Sequence, residues 1–180
     1  MTNMIRAIFI LICFFTLAAV IYIFSGTYNI AATVPHSGFV TWIFKTAKIS
    51  SIRKHAEGIK EPPLNDTGQV KEGFEHYDNM CVGCHGGPGI EGAKVFNPAP
   101  PDLAKVVELL KPAEIFWVIK NGIKMTGMPE SGSTHSDEDI WGMVAFIKRL
   151  PQLSPEQYKL MRKEAEKNPH SHDHHDEDHE

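Results

Sequence analysis

Cysteine is scarce in this chain, and strand patterns are absent from its sequence. The cysteines are Cys13, Cys81 and Cys84, and Cys13 lies far from the other two in an apolar run. A zinc site would need two further thiol or imidazole ligands in a similar cluster, which argues against that class. A thioredoxin-like dithiol would need a βαβ unit, and no strand pattern supplies one. With no strand and no internal repeat, the sequence predicts an all-α protein.

An excess of positive charge is also missing. The chain has 18 Lys and Arg against 22 Asp and Glu. Five of the acids fall in residues 170–180, which contain no Lys or Arg, so the rest of the chain is nearly neutral. Because nucleic-acid-binding proteins carry a basic surface, no nucleic-acid partner is expected.

One short motif carries most of the chemical information. Cys81 and Cys84 are separated by two residues, and His85 follows directly. A C-x-x-C-H run is typical of c-type haem attachment. Two thiols about one helical turn apart can bond to the two vinyl groups of one haem, and the adjoining imidazole can bind the iron as proximal ligand. The motif therefore predicts one covalent haem c.

Residues 7–24 contain no charge and are rich in Ile, Phe and Leu. Their length is near the lower limit for a membrane-spanning helix. Arg6, with no further Lys or Arg before Lys45, predicts that residues 1–6 are cytoplasmic. A signal peptide cleaved near Ile30-Ala31-Ala32 is the alternative, but its apolar region would usually be shorter. We expect an uncleaved single-pass anchor in the inner membrane, with the haem domain in the periplasm.

Residues 25–65 are predicted to link this anchor to the haem domain. Pro35 can open a helix, in which apolar residues recur at helical spacing: Phe39, Trp42, Ile43, Ile49 and Ile52. Two alternatives stay open for this helix. It is an amphipathic helix at the membrane surface, with Trp42 among the headgroups, or it packs on the haem domain. Glu61-Pro62-Pro63 ends any helix and marks the boundary.

Residues 66–151 are predicted to form the haem domain. Asp66 or Thr67 caps a helix that runs into the haem motif, with Val70, Phe74 and Tyr77 on its core face. The glycines at 86, 87 and 89 are expected to let the backbone pass close to the porphyrin. Further helices are predicted at residues 102–110, from Pro112 to the Asn121-Gly122 cap, and from Ser136 to Leu150.

Two methionines, Met125 and Met128, compete as the sixth ligand of the iron, and both lie in the loop after Gly122. Pro129 biases the residue before it towards an extended backbone and removes one amide donor beside the apolar haem face. Gly127 lets the loop bend tightly on the other side. We therefore predict Met128 as the ligand and Met125 as a packing residue.

The remaining residues are polar. Residues 152–169 are predicted to form a charged helical extension with weak patterning. Residues 170–180 contain five His and five acids and are expected to be disordered. Neutral imidazoles favour copper, nickel or zinc, so this tail is a candidate for weak metal binding.

The order of these features resembles a class I monohaem cytochrome c, here of the membrane-anchored kind found in Gram-negative bacteria. The resemblance covers about residues 66–151, and a Met-Pro pair 43 residues after His85 makes it specific. It implies His85 and Met128 as axial ligands and a carbonyl near Pro100-Pro101 accepting a hydrogen bond from the His85 ring. It also implies that the first and last domain helices cross, with Phe74 near Trp141 or Ala145.

A haem with two protein ligands has no open position, so the expected function is one-electron transfer between respiratory partners and not catalysis. Tethering would keep the carrier close to membrane-bound redox donors and acceptors. The alternatives are a permanent cytochrome subunit of a membrane oxidoreductase or reductase complex, and a metal-handling protein acting through its tail. A haem gas sensor is a weaker option, because it would need a weak or absent sixth ligand.

Overall fold

The computed structural model describes residues 1–167, so the predictions for the tail lie outside the described residues. Within this range the chain forms helices and no strand, which confirms the all-α prediction for that part of the protein. The chain divides into two compact units, residues 1–36 and the chain from Ser37 onwards.

The first unit contains one long helix, α1 (Thr2–Phe24). It begins before the predicted span and includes Arg6, and all of its residues are exposed. Within residues 1–167, it is the one helix long and apolar enough to cross a membrane, and its most apolar 18 residues have a mean hydropathy of 2.9. Because a signal sequence near an N-terminus shares these properties, α1 is a candidate membrane span by length and composition.

The second unit contains seven helices among the described residues. They are α2 (Gly38–Ala56), α3 (Thr67–His76), α4 (Val82–His85), α5 (Leu103–Val106), α6 (Pro112–Asn121), α7 (Asp137–Ile147) and α8 (Pro155–Lys167). A π-helical turn, Tyr77–Cys81, joins α3 to α4, where the sequence predicted one continuous helix. The predicted short helix after Asp102 continues from α5 into a 3-10 turn, Val107–Leu109.

Capping residues fix three helix ends at the predicted positions, at Asp66, Ser136 and Gly122. The Asp66 carboxylate accepts a hydrogen bond from the Gln69 amide at 2.8 Å, and Ser136 and Asp139 form a capping box. Gly122 ends α6 at φ 65°, a left-handed conformation that favours glycine. The prediction that Pro35 opens α2 is wrong, because the Ser37 hydroxyl accepts from the Val40 amide and starts the helix at Gly38.

Helices α3 and α7 cross where both have a glycine. A methyl group on Gly73 would collide with the Gly142 carbonyl oxygen and lie 2.9 Å from the Met143 amide nitrogen. The crossing confirms the expectation from the family resemblance, but the aromatic partners differ. Phe74 packs on Phe146, with ring centroids 5.3 Å apart. Trp141 instead stacks on Phe116 at 4.4 Å.

Helix α8 is packed onto the domain, although its sequence predicted only a polar extension. Tyr158 is the cause, because its side chain is 1% exposed and fills the space beside the rings of Phe74 and Phe146. Leu153, Met161 and Ala165 add partly buried contacts to the same core. Tyr158, Met161 and Ala165 follow the i, i+3, i+7 spacing of one helix face, but the residues between them are mostly charged, so the sequence showed only weak patterning.

Helix α2 is attached to the domain by its second half. Ala56 is buried, and Ile49 and Ile52 are half-buried. The His55 ring stacks on Trp117 of α6 with centroids 5.3 Å apart, and Arg53 lies 3.8 Å from Glu114. For this half of α2, packing on the domain is the correct one of the two predicted alternatives.

Candidate haem-binding site

The two cysteines of the motif lie where the π-helical turn passes into α4. Both side chains are half-buried, and both thiols are free. Burial, with a further contribution from the nearby Cys84, raises the pKa of Cys81 to about 11. Cys81 is therefore a protonated thiol at neutral pH in the haem-free chain.

His85 is the last residue of α4, and a hydrogen bond fixes its ring. Its Nδ1 lies 2.8 Å from the carbonyl oxygen of Pro101. A carbonyl can only accept, so Nδ1 carries the proton and Nε2 keeps its lone pair for a metal ion. The predicted hydrogen bond near Pro100-Pro101 is confirmed, and a bond of this kind makes the imidazole a better donor to a metal.

The turn after His85 is packed against the protein itself. Gly86 has φ 72°, and a Cβ there would lie 2.8 Å from the Ile90 carbonyl oxygen. A Cβ on Gly87 would meet the Tyr158 ring at 3.4 Å, and one on Gly89 would lie 2.9 Å from Pro155. These glycines were expected to make room for a porphyrin, but the close neighbours that the structure shows for them belong to the turn and to α8.

The two methionines of the loop after Gly122 differ in how far their side chains are buried. Met125 is 91% exposed and has φ 59°, so the prediction that it is a packing residue is wrong. Met128 is half-buried and packs against the hydrophobic core. Its backbone is held on both sides, because its carbonyl accepts from the Ile123 amide at 3.1 Å and its amide donates to the Thr126 hydroxyl at 3.1 Å.

One contact brings this loop towards the segment that carries Pro101. A Cβ on Gly127 would lie 2.8 Å from the Phe96 ring, so this ring packs directly on the glycine beside Met128. Phe96 belongs to the Pro-rich loop between α4 and α5. The residue predicted as sixth ligand and the loop that orients His85 therefore belong to neighbouring parts of the domain.

Two tyrosines brace the motif, and the sequence did not reveal either role. The buried Tyr77 hydroxyl donates to the carbonyl of Gly86 at 2.6 Å. From α8, the Tyr158 hydroxyl donates to Asp78 at 2.8 Å. Arg162 donates to both oxygens of the same carboxylate at 2.7 and 2.8 Å. The π-helical turn is thus tied to α8 by a buried phenol and by an ion pair in which both carboxylate oxygens share the Nε–H of Arg162.

A match to one protein family identifies the domain that contains this arrangement. Residues 68–147, somewhat under half of the chain, match the family described as cytochrome C oxidase, cbb3-type, subunit III. The chain contains a class I cytochrome c domain. Domains of this kind carry a covalently bound haem c and transfer electrons, and Cys81 and Cys84 lie inside the matched segment. No curated protein matches the chain.

The side chains present fit a haem c. Two free thiols stand at the motif spacing, an imidazole has its Nε2 available, and a half-buried thioether is held in a nearby loop. These are the donors that a c-type haem takes from a protein. Helices α1, α2 and α8 lie outside the matched segment of this cytochrome c domain.

Proposed function

We propose that the protein is a membrane-tethered one-electron carrier with a six-coordinate haem c. Cys81 and Cys84 supply the two thioether sulfurs, and His85 and Met128 are the axial ligands. The observation that carries the proposal is the His85–Pro101 hydrogen bond of 2.8 Å at the end of a C-x-x-C-H helix. It leaves His85 with the tautomer that a proximal ligand requires.

The protein's own residues would orient the ligands of the haem and keep other molecules from binding to its iron. A bound haem supplies exchange of one electron. Pro101 orients His85, and the hydrogen bonds from Ile123 and Thr126 fix the backbone of Met128. With His85 and Met128 both bound to the iron, no position would be open to a substrate or a gas, as a carrier requires and an enzyme or a gas sensor does not.

The proposed membrane attachment rests on α1, the candidate membrane span. With Arg6 at its start and no further basic residue before Lys45, the N-terminus lies in the cytoplasm and the haem domain in the periplasm of an inner membrane. An anchored domain meets its redox donor and acceptor at a raised effective concentration. The partners are therefore membrane-bound or membrane-associated redox proteins of a respiratory chain.

The test compares two methionine variants. Met128→Ala removes the thioether ligand, so it should abolish the sulfur-to-iron charge-transfer band at the near-infrared edge and allow small ligands to bind. It should also lower the midpoint potential, since axial ligands move haem potentials over about 0.8 V. Absorption spectra and potentiometric titration of the full-length protein measure both effects.

Met125→Ala is the matched control, because it truncates an exposed methionine of the same loop. We expect the band and the potential of this variant to equal those of the wild type. A band that survives in Met128→Ala and disappears in Met125→Ala would reverse the assignment. Removal of the haem by acid-acetone extraction would contradict the covalent bonds to Cys81 and Cys84.

A second candidate is a permanent subunit of a membrane oxidoreductase complex. The description of the matching family, which names a subunit of an oxidase, favours it. The two functions predict different results when the protein is extracted from the membrane in mild detergent and separated by size. A carrier should elute from a sizing column alone, whereas a subunit should keep a constant ratio to the other chains of its complex.

A further inference from the structure

The first half of α2 exposes a group of large apolar side chains to solvent. The exposed fractions are 69% for Phe39, 62% for Trp42, 41% for Ile43 and 57% for Phe44. The rings of Phe39 and Trp42 also stack on each other, with centroids 6.2 Å apart. Contiguous exposed apolar side chains of this size are rare on soluble proteins and mark a contact with a partner or a membrane.

This exposure is confined to one end of the helix. The second half of α2 is held on α6 through Ala56, the His55–Trp117 stack and Arg53 beside Glu114. The protein therefore has a rigid helix with one end fixed to the haem domain and the other end presenting aromatic rings outward. A flexible linker would not hold these rings in a fixed position relative to the domain.

The charge pattern indicates what covers the exposed end. No Asp, Glu, Lys or Arg occurs from Ala7 to Phe44, although the candidate membrane span already ends at Phe24. The uncharged chain thus continues for twenty residues beyond the span. It ends at Lys45. By helical spacing, Lys45 and Lys48 lie on the opposite side of α2 from Phe39 and Ile43, and Phe44 lies one turn before Lys48.

A cluster of exposed aromatic and aliphatic residues that is followed at once along the helix by lysines matches the boundary of a bilayer. Trp prefers the level between headgroups and acyl chains, and Phe occurs with it on the apolar face of helices that lie in this layer. Lysines at that boundary can reach the anionic phosphates of the headgroups. A protein partner would explain the aromatic rings, but not the uncharged chain that leads to them from the membrane span.

We propose that residues 38–44 of α2 lie in the headgroup layer of the bilayer that α1 spans. This inference rests on the membrane attachment in the proposed function and adds a second contact to it. Because the same helix is packed on α6, the haem domain is held against the membrane surface as one body with α2. It therefore presents its haem only to partners that reach the same layer.

The test places a nitroxide at one of two positions of the full-length haem protein in vesicles containing anionic phospholipid. Cys13→Ser serves as the background, and Ile43→Cys and Ser50→Cys each carry the label. Ser50 is exposed and lies seven residues along the same side of α2, so it is a matched control. Relaxation by oxygen, which concentrates in lipid, is compared with relaxation by a water-soluble nickel chelate.

At position 43, oxygen collisions should exceed chelate collisions, and at position 50 the order should be reversed. Chelate dominance at both positions would overturn the proposal, because the first half of α2 would then lie in water. A label at 43 shielded from both reagents would also overturn it and would indicate a protein partner or a second copy. Loss of the protein from the vesicles in an alkaline wash would instead contradict the anchoring by α1.

Discussion

Gly73 tolerates no side chain, because the backbone of α7 lies directly against it. In Gly73→Ala the new methyl group would collide with the carbonyl of Gly142, and backbone atoms cannot move aside as a flexible side chain can. Overpacking of this kind costs about 1–3 kcal/mol or more, which exceeds the helix propensity gained from alanine. We expect the free energy of unfolding to fall by about 3 kcal/mol, visible as a lower thermal midpoint by circular dichroism.

Gly38→Ala is the control for this substitution. Gly38 is also helical, and no atom lies within 4 Å of the position its Cβ would take. Its stability should change by no more than about 1 kcal/mol, in the direction of helix propensity. Equal midpoints for the two variants would mean that α3 and α7 are not in direct backbone contact.

Of the individual residues of the site, the sequence predicted some roles correctly and others wrongly or not at all. The hydrogen bond from His85 was anticipated because the motif and the Pro-rich loop stand in a familiar order, and the structure contains it. The role given to Met125 was wrong, because its positive φ turns the side chain outward and sequence spacing does not report φ. The bonds from Tyr77 and Tyr158 could not be predicted, since their partners are set by how the elements pack.

Among the elements, α8 differs most from its sequence-based prediction. Charged residues surround Tyr158 in the sequence. Its hydroxyl donates a hydrogen bond to the carboxylate of Asp78, which lies in the π-helical turn that leads into the haem motif. The acidic and basic members of this contact, Asp78 and Arg162, are 84 residues apart. No local pattern links them, so the sequence predicts only a polar helical extension. The packed helix instead braces the segment that precedes Cys81.

The alkaline behaviour of Tyr158 tests that packing. Burial, together with its hydrogen bond to Asp78, raises the pKa of Tyr158 above its ordinary value of about 10. The folded state therefore favours the neutral phenol, so this stabilisation is complete below about pH 10 and is lost as the pH rises towards the folded-state pKa. In Tyr158→Phe, the free energy of unfolding should fall less steeply above pH 10, by up to about 1.4 kcal/mol per pH unit.

Denaturant unfolding of the wild type and Tyr158→Phe at a series of alkaline pH values measures this slope. Arg162→Met is the control, because it weakens the same contact with Asp78 without removing a titrating phenol. It should lower stability at neutral pH and keep the wild-type slope. Equal slopes for the wild type and Tyr158→Phe would show that the phenol is open to solvent and that α8 is not packed.

At the scale of the whole molecule, the sequence predicted the helical class and the helices around the haem motif. Capping residues and the C-x-x-C-H motif are local signals, and the helices they predicted are present, with the turn at Tyr77–Cys81 as the local exception. The packing of α2 and α8, at the edges of the domain, was harder to predict from the sequence, because each helix buries only part of its length. Their packing depends on partners that are distant in the chain, such as Trp117 for His55.

The tail, residues 170–180, gives the chain its net negative charge and half of its ten histidines. Within residues 1–167, no group of three or more His, Cys, Asp or Glu side chains is placed to hold a metal ion. We predict that the tail binds metal, because its imidazoles in their neutral form favour copper, nickel or zinc. Calorimetric titration of copper into the full-length protein should release heat at pH 7.

A chain ended after Asn168 keeps all of α8 and removes the tail, so it isolates the contribution of the tail. We expect this shorter chain to lose the heat of binding while its haem spectrum stays unchanged. Because metal ions must displace protons from imidazole, whose ordinary pKa is about 6.5, the full-length protein should bind more weakly at pH 5 than at pH 7. Equal heats from the two chains would leave the tail without a role in metal binding, and its charge would then act only through solubility and encounter with partners.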